Sequence, residues 1–250
     1  MPDAGQGAGR IEGRRVLVVV PAYNEAGSVG AVVSEVRAEV PQAEVVVVDD
    51  GSHDETAAEA RAAGARVVRM PFNSGIGTTV QTGFKIAAEE DFDVAVQVDG
   101  DGQHRADQVI HLIRALNESG ANYAVGSRFA EATGYTASAA RRGGIVLFAR
   151  LVSRLTGQRL TDTTSGFRAA DRRTIELFAD HYPYDYPEVE ALVLVRRAGL
   201  RTVEVPVLMR NRETGRSSIT PFRSAYYMVK VTLAVLVQFI GRQPTAEDPA

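Results

Sequence analysis

Cysteine is absent from this chain, which excludes disulfides, thiolate metal sites and cysteine nucleophiles. Lysine is nearly absent. Lys85 and Lys230 stand against 26 arginines, so the cations available to a phosphate are mostly guanidinium groups. A large charge of either sign is missing too. The formal net charge is -3, and a general nucleic-acid binder is usually basic. No run reaches the roughly 18 apolar residues that a membrane-spanning helix needs. The longest apolar stretch is VTLAVLVQFI at 231–240. The segment from Phe222 to Ile240 is therefore expected to lie on a membrane surface, to dock onto a small membrane partner, or to pack on its own domain. Residues 1–13 are Gly-rich, lack the apolar core of a signal peptide, and read as a disordered leader. Residues 242–250 read as a polar tail.

What is present is ordinary globular composition. The chain has 250 residues, 45% apolar and 24% charged, enough for a substantial core without staples. Short β-branched runs at 15–21 (RVLVVVP), 44–50 (EVVVVDD), 65–70, 94–99 and 123–127 have the pattern of buried parallel strands. Helical periodicity separates them over 24–40, 54–63, 78–90 and 106–119. This alternation predicts an α/β fold with a mostly parallel, Rossmann-like sheet flanked by helices. Ligands are then expected beyond the carboxyl ends of the strands. The second half, about 129–220, is less regular. It holds helices over 143–155, 172–179 and 188–198, a polar loop over 161–169 followed by a short segment, and an extended run over 202–209. A charged, Gly-containing loop follows at 211–218, then the C-terminal helix over 221–241. No linker divides the chain, so one domain over 14–220 is expected.

The chemistry-bearing residues cluster where strands end. Asp99-Gly100-Asp101-Gly-Gln103-His104 follows the strand VAVQV. Two carboxylates at i and i+2 can converge where glycines let the chain turn, and with one amide they suit Mg²⁺ or Mn²⁺ shared with phosphates. A solvated Asp/Gly loop is the plainer reading of that spacing alone, and for His104 the plainer reading is a surface residue. Asp49-Asp50-Gly51-Ser52 follows the second strand, where a carboxylate can accept from a base N–H or a ribose hydroxyl; Asp54 and Thr56 read as helix caps. Pro21-Ala22-Tyr23-Asn24-Glu25 ends the first strand, with a ring for stacking and, at Asn24, either a helix N-cap or a group near an anion site. Asn73-Ser-Gly75-Ile-Gly77 lacks the third glycine of a dinucleotide fingerprint and follows a later strand, which argues against NAD. Arg128, Arg141, Arg142, Arg210, Arg212 and Arg216 are candidate phosphate clamps; each taken alone also reads as a solvated surface arginine.

Taken together, PAYNE at 21–25, VVDDGSHDET at 47–56, N-x-G-x-G at 73–77, Gly83-Phe84, DGDGQH at 99–104, GSRF at 126–129 and TSGFRA at 164–169 resemble glycosyltransferase family 2, of the GT-A fold. Within it the chain is most similar to the polyprenyl-phosphate (dolichyl-type) hexosyltransferase branch. Arg212-x-x-Gly215-x-Ser217-Ser218 supports that branch, although the branch has Ser-Lys where this chain has Ser217-Ser218. The resemblance implies a nucleoside-diphosphate hexose donor, with Tyr23, Glu25 and Asp50 on its nucleoside. Pro21, Ala22, Asn24, Ser52, Gly77, Asp99 and Gly100 would surround it. Asp99, Asp101 and Gln103 match the family's metal positions. Arg128, one of Arg141 or Arg142, Arg212, Ser165 and Ser217 would receive an acceptor phosphate, with Asp162 in the sugar and acceptor site. It also implies inverting transfer, by a cytoplasmic enzyme that is peripheral on the inner face of the plasma membrane; a homodimer is compatible with the chain.

A phosphate acceptor is already anionic and needs positioning more than a base. A saccharide hydroxyl, as in cell-surface polysaccharide assembly, needs a general base, and Glu188 and Asp162 are the candidates. Two further readings stay open. A nucleotidyltransferase needs a lysine-bearing Gly loop after the first strand, which PAYNE is not. A non-catalytic nucleotide-sugar-binding protein has no need of the carboxylate pair.

Overall fold

The computed structural model describes residues 10–129, 149–150, 152–154, 157–158, 160–210 and 230. In chain order the elements are β1 (Val16–Ala22), α1 (Val29–Glu39), β2 (Glu44–Asp49), α2 (Thr56–Ala62), β3 (Arg66–Arg69), α3 (Ile76–Glu89) and β4 (Val94–Gln97). A short 3-10 turn at Ala106–Gln108 leads into α4 (Val109–Ser119). Then come β5 (Tyr123–Ser127), β6 (Arg168–Asp171), α5 (Arg172–Asp180), α6 (Pro187–Arg197) and β7 (Thr202–Pro206).

All seven residues of β1 are buried. The reason is a sheet covered on both faces, which suits a continuous β-branched run better than alternation. Leu17 and Val19 enter one apolar layer with Phe84, Phe178 and Leu192. Val16, Val18 and Val20 enter the other with Val33, Leu112 and Ile113. The side-chain period of two therefore feeds both layers from one strand.

The sheet runs in the order β3-β2-β1-β4-β6-β5-β7. β1 pairs in parallel with β2 on one side and β4 on the other. The chain winds outward through β2 and β3, then returns across β1 to β4. That reversal opens a crevice at the carboxyl ends of β1 and β4, where α/β sheets bind ligands.

β6 is inserted antiparallel between β4 and β5, where the sequence predicts the end of a polar loop and a short segment. Its sequence, RAAD, has no β-branched residue and starts with a charge. Cross-sheet hydrogen bonding, not local propensity, makes it a strand. The helix expected from residue 24 begins at Val29. The helix expected over 221–241 lies outside the described residues apart from Lys230, as does most of the one expected over 143–155. No helix among the described residues is long and apolar enough to cross a membrane.

α3 presses on β1 through Gly83, where an added Cβ would overlap the Val19 side chain. Gly83→Ala is expected to cost about 1–3 kcal/mol by overpacking. That is a fall of several degrees in Tm, checked by thermal unfolding; an unchanged Tm would show that the contact yields freely.

Candidate active site

The carboxyl ends of β1, β2 and β4 surround a cleft of about 350 Å³. β1 supplies Pro21 and Ala22, and the residues just after it Tyr23 and Glu25; β4 and the turn after it supply Gln97, Asp99, Gly100 and Asp101. Asp50 lines it after β2, Asn73, Gly75, Ile76 and Thr79 line it at the start of α3, and Glu188 closes it from the first turn of α6. Asp50 is 4% exposed. Its two carboxylate oxygens accept the Ser74 and Gly75 backbone N–H groups at 2.7 and 2.9 Å, which fixes the loop before α3 as a wall. Gly75 sits at φ 88°, a conformation that favours glycine. The Tyr23 ring stands partly exposed at the rim, beside the Asp50 wall.

Asn24 does not start the helix. It adopts a left-handed φ of 53°, and the next turn is held from outside. The backbone N–H groups of Asn24, Glu25, Ala26 and Gly27 donate in turn to Ser52 Oγ, Thr56 Oγ1, Asp54 Oδ2 and Glu59 Oε2, at 2.9, 2.8, 3.1 and 2.7 Å. Asn24 Oδ1 accepts the His53 N–H. Those amides satisfy protein oxygens, so they form no anion cradle. Asp54 also accepts from Thr56, and that bond holds its carboxyl below the ordinary range. Asn24 and the buried Ser52 thus build the wall of the cleft without lining it. Gly77 is likewise behind the lining: its missing Cβ lets Tyr184 approach, with Cα 2.7 Å from where a Cβ would stand.

The turn after β4 is braced from several sides. Gln97 Nε2 donates to Asp99 Oδ1 at 3.1 Å. The Asp99 N–H donates to His104 Nδ1 at 3.0 Å, and Nε2 lies 3.6 Å from Asp99 Oδ2. His104 is 5% exposed and stacks on Phe167 with centroids 4.8 Å apart and planes at 15°. It is a buried brace, where its sequence context suggested a surface residue. Asp101 accepts the Gln103 N–H at 3.0 Å and Gln103 Nε2 at 2.6 Å. Gln103 therefore steadies Asp101 from outside the cleft lining. Gly100 lets this turn close on β1, since a Cβ there would stand 3.2 Å from the Pro21 carbonyl.

Among the described residues no three or more His, Asp or Glu side chains converge as an enclosed metal site. Asp99 and Asp101 both open on the cleft from one turn. Such a pair suits a Mg²⁺ or Mn²⁺ that takes its remaining oxygens from phosphates and water, so the donor set fits a shared divalent ion.

On the far side, Arg128 is clamped to Asp162. Its Nε and Nη2 donate to the two carboxylate oxygens at 2.7 and 2.9 Å, and its backbone N–H donates at 3.2 Å. Arg128 Nη2 also reaches Thr164 Oγ1 at 3.1 Å. Asp162 is buried, and Glu204 Oε1 accepts the N–H groups of Thr161 and Asp162 at 2.7 Å each. Burial pushes the Glu204 carboxyl up. Ser165 is buried and its Oγ accepts the Phe167 N–H at 3.3 Å. Arg128 and Asp162 form one ion-paired unit, Ser165 bonds separately to Phe167, and none of the three is in the cleft lining. Arg141, Arg142, Arg212 and Ser217 lie outside the described residues.

Residues 17–178 match the family described as Glycosyl transferase family 2. The chain belongs to this family. It is 34% identical over 82% of its length to the undecaprenyl-phosphate mannosyltransferase of Micrococcus luteus, covering 88% of that protein. It is 30% identical over 87% of its length to the polyprenol monophosphomannose synthase of Mycolicibacterium smegmatis, covering 86% of that protein. Its fold is that of glucosyl-3-phosphoglycerate synthase from Mycobacterium tuberculosis, solved with Mn²⁺ and UDP. The TM-score is 0.70 at 23% identity, over 98% of this chain and 88% of the other. The protein is a glycosyltransferase of GT-A fold.

The sequence reading missed several residues of this glycosyltransferase cleft. Gln97 carried a usable signal: it is the one polar residue inside a β-branched run and shares a strand face with Asp99. Asn73, Ile76 and Thr79 come from a helix start whose packing the sequence does not fix. Burial raises the Glu188 carboxyl, with Arg168 opposing that shift and Asp99 adding to it. One helix position pair further, Glu190 is 6% exposed. Burial, then Asp185 and Glu188, push it from 4.5 to about 7. The folded protein thus holds the Glu190 proton more tightly than the unfolded chain. That stability is full below pH 4.5 and is lost as pH rises through 7. Glu190→Gln is expected to flatten the fall, by on the order of 2 kcal/mol at pH 8, in urea unfolding at pH 5 and pH 8. An unchanged slope would assign the pH dependence elsewhere.

Proposed function

We propose that this glycosyltransferase moves a hexose, with inversion, from a nucleoside diphosphate to a polyprenyl phosphate, using a divalent ion. The observation that carries the reading is the pairing of Asp99 and Asp101 on one wall of the cleft with Tyr23 and Asp50 on another. The separation of roles follows from the chemistry. Tyr23 offers a stacking face to the base, and Asp50 and Glu25 offer acceptors to its N–H and ribose hydroxyl groups. Asp99 and Asp101, steadied by Gln97 and Gln103, would hold Mg²⁺ or Mn²⁺, which neutralises charge on the leaving diphosphate. Arg128, Arg141 or Arg142, Arg212, Ser165 and Ser217 are assigned to the acceptor phosphate, and Asp162 orients Arg128. The names of the relatives, a mannosyltransferase to undecaprenyl phosphate and a polyprenol monophosphomannose synthase, support this acceptor class. An acceptor of that class places the working enzyme at a membrane surface, with the segment from Phe222 to Ile240 as the assigned contact.

One observation favours a second acceptor. Glu188 reaches the cleft with a carboxyl raised by burial, which suits a base that takes a proton from a saccharide hydroxyl.

The test has two stages. A thermal-shift panel of nucleoside diphosphates and their hexoses, with and without Mn²⁺, identifies the base, since binding to the folded state raises the melting point. Radiolabelled donors are then offered undecaprenyl phosphate or oligosaccharides. Lipid-linked label supports the proposal. Label only in oligosaccharide replaces it with the second reading.

A further inference from the structure

The bulkiest fully buried side chain described is an arginine. Arg168 is 2% exposed and lies on β6 opposite Gln97 of β4 and Val125 of β5. Its guanidinium spans three parts of the molecule. Nε donates to the Ser165 carbonyl at 2.6 Å, and Nη2 to the Thr163 carbonyl at 3.3 Å. Nη1 donates to the Tyr123 hydroxyl at 3.0 Å, and Nη2 also donates to the Glu188 carbonyl. The guanidinium lies 5.6 Å from the centre of the Tyr123 ring. Every oxygen it bonds is uncharged. The Glu188 carboxyl attracts it through space, yet a buried cation, even with a counter-charge, is often less stable than an apolar side chain of the same volume. Packing alone therefore gives no reason for it.

We propose that Arg168 is a positioning residue for sugar transfer: it ties the first turn of α6 to the 163–165 loop and so holds the Glu188 carboxyl at the cleft wall. The proposal rests on the reading that Glu188 works in the cleft. The geometry suits the role. α6 begins at Pro187, and Arg168 ties its first turn to β6 by donating to the Glu188 carbonyl. The same guanidinium holds the loop between Asp162, which clamps Arg128, and Gly166, which lies against Asp99. One buried group thus sets the distance between the acceptor-side network and the cleft carboxylate. It touches no reacting atom.

The test uses Arg168→Lys, Glu188→Gln and the double variant. GDP-mannose and UDP-glucose serve as donors, with undecaprenyl phosphate and an oligosaccharide as parallel acceptors, and the kcat comparison is read on the saccharide, for which Glu188 would be the base. A lysine keeps the charge, but one ammonium cannot reach three carbonyls and a hydroxyl at once. The expected result is a kcat lowered at least tenfold, with donor KM and the calorimetric Kd for nucleoside diphosphate with Mn²⁺ unchanged within twofold. In the Glu188→Gln background the lysine should lower kcat by less than twofold, since residues acting as one unit are not additive. Losses that multiply in the double variant, an unchanged kcat, or donor affinity falling in parallel would each overturn the proposal. Glu188→Gln turning over at the wild-type rate removes the reading of Glu188. An inactive Glu188→Gln beside a fully active Arg168→Lys removes the role of Arg168 alone. Should Arg168→Lys fail to fold, Tyr123→Phe, which deletes one guanidinium partner, carries the same expectation at about threefold.

Discussion

Asp101→Asn is expected to lower turnover by about three orders of magnitude, equivalent to roughly 4 kcal/mol of transition-state stabilisation. The substitution is nearly isosteric, so an effect of that size comes from charge and not from packing. Asp101 faces the cleft and is fixed by two donors from Gln103, the backbone N–H and Nε2. An asparagine keeps an acceptor for one of them but removes the negative oxygen a divalent ion needs. It also sets an amide NH₂, donor against donor, on Gln103 Nε2 or, with the group flipped, on the Gln103 backbone N–H. Two measurements separate these effects. Calorimetry should show Mn²⁺-dependent nucleotide binding lost, while nucleotide binding without metal persists through the Tyr23 and Asp50 walls. Transfer should not recover as Mn²⁺ is raised to millimolar levels. Asp54→Ala provides the contrast. Asp54 accepts from Ala26 and Thr56 and does not line the cleft, so its loss should lower Tm and leave the metal response unchanged. Wild-type turnover in Asp101→Asn would end the metal-carboxylate account.

The parts of this picture that were legible in the sequence are those set by short-range pattern. VLVVV, EVVVVD and VAVQ could be little else than buried strands, and the alternation with helices fixed a sheet with ligands beyond its carboxyl ends. The family resemblance added what pattern lacks, the expectation that the carboxylates of DGDGQH serve a donor, and Asp99 and Asp101 do line the cleft. The misreadings share one cause. Asn24 looked like a helix N-cap because its neighbours in sequence suit one, whereas Ser52, Asp54, Thr56 and Glu59, about thirty residues on, capture the amides that follow it. His104 looked exposed because it follows Asp, Gly and Gln; the ring is buried and stacks on Phe167, the residue just before β6. β6 itself was invisible, since RAAD carries no strand signal. With it went Arg168, which in sequence is one arginine among 26. Partners that converge from far along the chain leave no periodic trace.

Gly166→Ala tests whether the acceptor-side loop holds the metal turn in place. A Cβ built on Gly166 would stand 2.8 Å from Asp99 Oδ2 and 3.0 Å from Oδ1, closer than real Cβ contacts run. The carboxylate has little freedom to yield. Gln97 holds Oδ1, and His104 holds the backbone N–H from behind. The loop is equally constrained, because Phe167 stacks on His104 and Arg168 anchors the carbonyls of Thr163 and Ser165. Overpacking of this kind costs about 1–3 kcal/mol, so a folded protein with Tm lowered by several degrees is expected. The functional loss should be larger. If Asp99 moves to relieve the clash, affinity for nucleoside diphosphate with Mn²⁺ should fall tenfold or more, and metal-free nucleotide binding should hold. A double-mutant cycle identifies the cause. Asp99→Ala removes the atoms that the new methyl would strike, so in that background Gly166→Ala should cost little further stability. Equal costs in both backgrounds would show that the glycine answers to something other than Asp99, and that loop and metal turn are not mechanically joined at this point.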